Sequence, residues 1–162
     1  MAARNPRIKF IDPVPTREIA KKINEYDIGL FLLPLNGFNP TYTLPNKLFE
    51  FIQGRLACLV TPNVEMKYIV DKYNLGWVTD GFDAASAAGK IRNTGNDEIN
   101  GIKANAHKNA FELSAEKTYI KIREAIRAVI NDDHATIRAA SDEGREALLS
   151  MAGNEYASET SV

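Results

Sequence analysis

The chain has 162 residues, 44% of them hydrophobic and 25% charged, which is enough for one soluble domain with an apolar core. Lys+Arg number 20 and Asp+Glu 21, so the net charge of −1 argues against a dedicated nucleic-acid binder. No apolar run approaches the ~20 residues of a membrane helix, and the first residues lack the apolar core of a signal peptide, so the expected compartment is the cytosol. One cysteine, Cys58, leaves no disulfide within the chain, and with only His107 and His134 beside it a Cys/His zinc set is excluded.

In chain order, residues 8–11 (Ile-Lys-Phe-Ile) alternate apolar and polar and are closed by Asp12-Pro13, which predicts a strand. Thr16 is placed to cap a helix running to about Tyr26, with Ile19, Ile23 and Tyr26 on one face. Residues 28–33 are almost continuously apolar, the pattern of a parallel strand covered on both faces. A loop over 34–44 follows, then a helix from Pro45 to about Gln53, with Gly54 as its C-terminal cap and Leu48, Phe49 and Ile52 as its core face. Residues 57–60 form the next strand, and 63–73 a helix with Met66, Ile69, Val70 and Tyr73 inward. Residues 76–79 make a short strand. Helices are then predicted over 83–93, 97–112, 114–131 and 134–151, the third opened by Ser114 and carrying Tyr119, Ile122, Ile126 and Ile130 at helical spacing. Strands alternating with helices imply a doubly wound α/β domain with a parallel sheet.

Charge divides the chain. Residues 1–131 carry 18 Lys+Arg against 14 Asp+Glu, and residues 132–162 carry two against seven. The expected organisation is a mildly basic globular part, 1–131, and an acidic helical extension, 132–162, whose polar last ten residues are too poor in apolar groups to order themselves. The terminal Thr160-Ser161-Val162 matches the peptides that add a strand to a sheet edge, but three residues are too short a pattern to carry a function.

Ligands of open parallel sheets bind beyond the C-terminal ends of the strands, in loops that lead into helices. The longest such loop here contains Gly37, Phe38, Asn39, Thr41, Tyr42 and Thr43, and it runs into Pro45, Asn46, Lys47 and Glu50. A helix start offers free N–H groups and the positive end of a dipole to an anion such as a phosphate. Asn46 and Glu50, four apart, share a helix face, where a carboxylate can accept both hydrogen bonds of a vicinal diol. The plainer alternative is that Lys47 and Glu50 form a surface ion pair. Trp77 is expected to pack in the core or at a rim rather than stack on a base, Cys58 to act as a small buried hydrophobe, and His107, His134 and the cations between Lys117 and Arg127 to lie on solvated faces.

Three stretches, residues 26–34 (Tyr-Asp-Ile-Gly-Leu-Phe-Leu-Leu-Pro), 44–52 (Leu-Pro-Asn-Lys-Leu-Phe-Glu-Phe-Ile) and 56–61 (Leu-Ala-Cys-Leu-Val-Thr), resemble the C-terminal lobe of GT-B glycosyltransferases of the "glycosyl transferases group 1", family four, type. Residues 74–78 (Asn-Leu-Gly-Trp-Val) fit the strand that follows, and the resemblance spans about residues 7–128. It implies a Rossmann-like lobe that holds a nucleotide-diphosphate sugar, with Glu50 on the ribose hydroxyls and residues 37–43 facing the sugar and diphosphate. It implies no metal and no further cofactor. The family's motif has a second glutamate eight residues earlier, where this chain has Tyr42. Such lobes also open with two strands bearing a glycine-rich turn and a basic pair, expected between 8–11 and 28–33 in the sheet. An acceptor-binding lobe precedes them. The resemblance therefore reads the chain as the donor-binding piece of a glycosyltransferase of polysaccharide or glycoconjugate synthesis, inactive alone, whose partner is the missing lobe. The alternatives are a non-catalytic nucleotide-binding or scaffold domain and a flavodoxin-like binding module.

Overall fold

A computed structural model of the chain describes residues 5–34, 37–131 and 142. Three short runs of apolar and β-branched residues form parallel strands, β1 (Ile28–Phe31), β2 (Ala57–Val60) and β3 (Gly76–Val78), in the order β1-β2-β3. Gly29 pairs with Cys58 and Phe31 with Val60, while Cys58 pairs with Gly76 and Val60 with Val78. Parallel neighbours need crossover connections, and helices supply them: α2 (Phe38–Tyr42) and α3 (Asn46–Gln53) between the first two strands, α4 (Val64–Tyr73) between the second pair. Before β1 stands α1 (Ile19–Ile23), and after β3 come α5 (Ala84–Asn93), α6 (Asn96–Asn109) and α7 (Ala115–Ile130). The expected α/β class with a parallel sheet is therefore present.

The core is centred on β2, all four of whose residues are buried. Leu48 and Ile52 of α3, Met66 and Val70 of α4 and Ala106 of α6 close over Cys58 and Val60. Burial pushes the Cys58 thiol up to about 12, so it behaves as the small hydrophobe the sequence suggests. Two glycines are obligatory for this packing. A Cβ at Gly29 would overlap the Phe51 ring of α3. Gly76 has φ +155, and a Cβ there would overlap the Cys58 carbonyl.

Several expectations are corrected. Residues 8–11 are not a strand; Ile8, Phe10 and Ile11 are exposed, and the Ile8 amide turns back on the Asn5 carbonyl at 3.0 Å. Alternation alone does not make a strand when no neighbouring ladder receives its main chain. Thr16 caps nothing: it begins a 3₁₀ turn (Thr16–Glu18), and the helix behind it ends at Ile23 rather than Tyr26. β1 is not covered on both faces. It is one of two edge strands among the described residues, and Leu30 is 48% exposed. The 34–44 loop contains one helical turn, α2. The helices of 83–93, 97–112 and 114–131 appear within a few residues of their predicted ends, and Ser114 does cap α7, accepting from the Lys117 amide at 3.1 Å. The predicted helix over 134–151, His134 and the C-terminal tripeptide lie outside the described residues, Asp142 excepted.

Candidate functional site

Beyond the C-terminal end of β1 the chain is fastened by the loop that follows β2. The buried Thr61 hydroxyl accepts from the Leu33 amide at 2.9 Å and donates to Asn63 Oδ1 at 2.6 Å. Asn63, also fully buried, donates through Nδ2 to the Pro40 carbonyl at 2.7 Å. This tether explains the unforeseen α2. Gly37, at φ +116, opens the turn; Pro40 sits in its first turn, where no N–H is needed, and its carbonyl is held from below. Thr41 closes the turn by donating to the Gly37 carbonyl at 3.1 Å. Phe38, Asn39 and Tyr42 belong to the same turn, and Thr43 leaves it in extended conformation.

The second helix of this crossover begins one residue later than predicted. Pro45 is its N-cap, at φ −76 and ψ 146, and no side chain caps α3. Lys47 does not pair with Glu50. Its ammonium lies 5.3 Å from the centre of the Phe31 ring, a cation–π contact at the end of β1. The surface ion pair that was the plainer alternative is therefore absent. Glu50 is half-buried, and its carboxylate has no hydrogen-bond or ion-pair partner among the described residues.

Asn46, Glu50 and Gln53 lie on the face of α3 away from Leu48 and Ile52, and Phe49, which packs against the core as expected, borders that face. This face lines an open groove of about 820 Å³. Its other walls are the 3₁₀ turn at Thr16 and Arg17 with the start of α1, and the start of α7, with Glu116, Thr118 and Tyr119. Gln53 fixes the far end by donating to the Ala110 carbonyl at 2.7 Å. The structure thus brings Asn46 and Glu50 together as helical spacing predicts. Gly37, Asn39, Thr41, Tyr42, Thr43 and Lys47 are not among the described lining residues of this groove. The α7 wall was missed, because its residues read as a capped start and a solvated face. The available signal was the second polar-and-apolar face of α3 at i, i+3, i+4, i+7, which requires something opposite it.

Other singled-out residues are structural. The Trp77 indole donates to Glu98 at 2.7 Å at a partly buried rim. His107 is exposed and accepts from Arg55 at 3.1 Å. Lys117 and Lys121 both bridge Glu112 at 3.3 Å. Among the described residues no group of three or more His, Cys, Asp or Glu is placed to hold a metal ion, and no helix is long and apolar enough to cross a membrane. Comparison with protein-family models, curated proteins and solved structures finds no match to the chain.

Proposed function

We propose that the chain is the donor-binding part of a glycosyltransferase and holds a nucleotide-diphosphate sugar. The observation that carries this reading is Glu50: a half-buried carboxylate without a hydrogen-bond or ion-pair partner among the described residues, beside Asn46, on an open groove and on the very helix whose Pro-Asn-Lys-Leu-Phe-Glu segment carries the family resemblance. A half-buried carboxylate on an open groove keeps its lone pairs available to a ligand, and a ribose diol supplies two donors at the right spacing. In the transfer, the bond from the sugar's anomeric carbon to the diphosphate oxygen breaks and one to the acceptor oxygen forms. The acceptor's proton is lost, and the nucleoside diphosphate leaves. The acceptor site belongs, on this reading, to a second lobe in the same polypeptide or a partner chain, and the cations that neutralise the leaving group to the two opening strands with which such a donor-binding lobe begins. A cytosolic location and a role in polysaccharide or glycoconjugate synthesis go with it.

The test is Glu50→Gln, which keeps the shape and weakens the acceptor. Affinity for UDP, GDP or ADP, whichever the parent binds, is expected to fall about tenfold or more, equivalent to ~1.4 kcal/mol, with thermal stability unchanged. Equal binding by the variant removes Glu50 from the site, and unfolding of the variant makes it a structural residue. A second reading, a non-catalytic nucleotide-binding or scaffold domain, is favoured by the charges of the groove. Among the described lining residues Arg17 is the one cation against two carboxylates, Glu50 and Glu116, and its guanidinium is paired with Glu18 at 3.7 Å. Turnover of a nucleotide sugar separates the two readings.

A further inference from the structure

Helix α7 carries an apolar stripe that nothing described covers. Tyr119, Ile122, Ile126 and Ile130 are 71%, 49%, 54% and 75% exposed, while Ala128, on the opposite side of the helix, is buried against the domain. Ala115, Tyr119, Ile122, Ile126 and Val129 follow one another in steps of four, three, four and three. That is the a/d seam of a heptad pattern, the spacing by which one helix packs into another. A shallow groove of about 570 Å³ runs along it. Glu116 and Arg123, one heptad apart, edge the seam on the same flank. Neither has a hydrogen-bond or ion-pair partner among the described residues, whereas Lys117 and Lys121 share Glu112. A stripe of this size on one helix marks an interaction face.

We propose that the stripe binds a second copy of this chain, the two α7 helices packing antiparallel about a two-fold axis that passes between Ile120 and Lys121. A two-fold interface must be self-complementary, and this one is. Tyr119 comes level with the partner's Ile122 and Ala115 with the partner's Ile126, and the axis repeats both contacts. At each end a small residue meets a large one, as interdigitation requires. Val129 and Ile130 run on past the partner's Ala115 towards the turn that holds its exposed Phe111. An antiparallel two-fold also sets each flank of the seam beside itself. Glu116 then stands about two residues, or ~3 Å along the axis, from the partner's Arg123. The axis repeats this pair too, so the charges left over on one chain are matched by those of the other. Two alternatives lack that match. With Ile122 level with the partner's Ile126, Arg123 falls between the partner's Arg123 and the partner's Arg127. In a parallel pair, Glu116 and Arg123 lie on opposite flanks and do not meet. The charges thus select both the direction and the register.

Sedimentation equilibrium on the full 162-residue chain tests this. A face this short belongs to the small, transient class of interfaces, so a dimer mass is expected to emerge as protein rises from about 10 μM to about 1 mM. Ile122→Asp replaces an exposed side chain and leaves the core alone; it should abolish the dimer with the thermal midpoint of the monomer unchanged. A second set of variants reads the register. Arg123→Glu alone, or Glu116→Arg alone, turns two attractions into two repulsions and should weaken association about tenfold. The two together should restore it to within about threefold of the parent. Three outcomes overturn the proposal: a chain that stays monomeric at about 1 mM, whether its stripe is covered from within or kept for a different protein; a dimer indifferent to Ile122→Asp; or a dimer in which the double charge variant associates no better than the single ones.

Discussion

β2 and β1 are built from nearly the same residue types, yet they stand in opposite situations. Ala57, Cys58, Leu59 and Val60 are buried without exception, with a strand on either side and helices packed against them. One ladder away, only Gly29 of β1 is buried. The Asp27 carbonyl accepts from Ala57 and the Leu33 amide donates to Thr61, so the odd-numbered residues direct their main chain to β2. Ile28 and Leu30 then point theirs towards the free edge. An apolar run therefore reports that burial is wanted, while the number of neighbours decides whether it is received.

That contrast can be broken from its strong side first. Leu48→Ala removes a fully buried side chain from above β2 and is expected to cost about 2–5 kcal/mol in urea denaturation, while Leu30→Ala should cost less than about 1 kcal/mol. Equal losses would mean that β1 is covered in solution. Gly76→Ala forces a Cβ against the Cys58 carbonyl at a backbone angle that alanine avoids, and the expected loss is about 2–4 kcal/mol by the same measurement. Asn63→Ala frees the Pro40 carbonyl and the Thr61 hydroxyl of their partner, with an expected loss of about 1–3 kcal/mol. Its exchange signature should be confined to α2 and residues 32–34, which would show that the β1 end of the sheet is held from β2.

The smallest effect lies on the surface. Hydrogen bonding to Lys121, then to Lys117, holds the Glu112 carboxyl below its ordinary value of 4.5. A carboxyl lowered in the folded state adds stability above its unfolded value, and that contribution disappears as pH falls through the folded value. Glu112→Gln should therefore slightly shrink the drop in denaturation midpoint between about pH 6 and about pH 3. The change should be smaller than for any core variant, because the group is exposed and screened.

Helices with a clear apolar period or a capping residue were legible in the sequence. Ser114 and the Tyr119–Ile130 repeat announce α7, whereas the cap of α5, Asp83 accepting from the Ser86 amide at 2.9 Å, was not singled out. What failed was non-local. Residues 8–11 have the local pattern of a strand, but a strand exists only by pairing, and no sequence window shows whether a partner stands beside it. The α2 turn depends on Asn63, 23 residues further along the chain. For the candidate site, the shared face of Asn46 and Glu50 followed from one helix's geometry. Its far wall, at Glu116 and Tyr119, is brought there by the packing of α6 and could not be read from spacing. The expected Lys47–Glu50 pair lost to a ring, Phe31, that only the folded strand places within reach.

The shared position of β2 has a kinetic consequence. Pairing Ile28 with Ala57 closes a segment of 29 residues and pairing Cys58 with Gly76 one of 18. The entropy of closing the longer exceeds that of the shorter by only about 0.4 kcal/mol. Chain length thus barely favours either crossover as the first to form. Both need the same four residues extended, whichever leads. Every route from the unfolded chain to the sheet therefore passes through the ordering of residues 57–60, and the helices, which form in about a microsecond or less, wait on that long-range event.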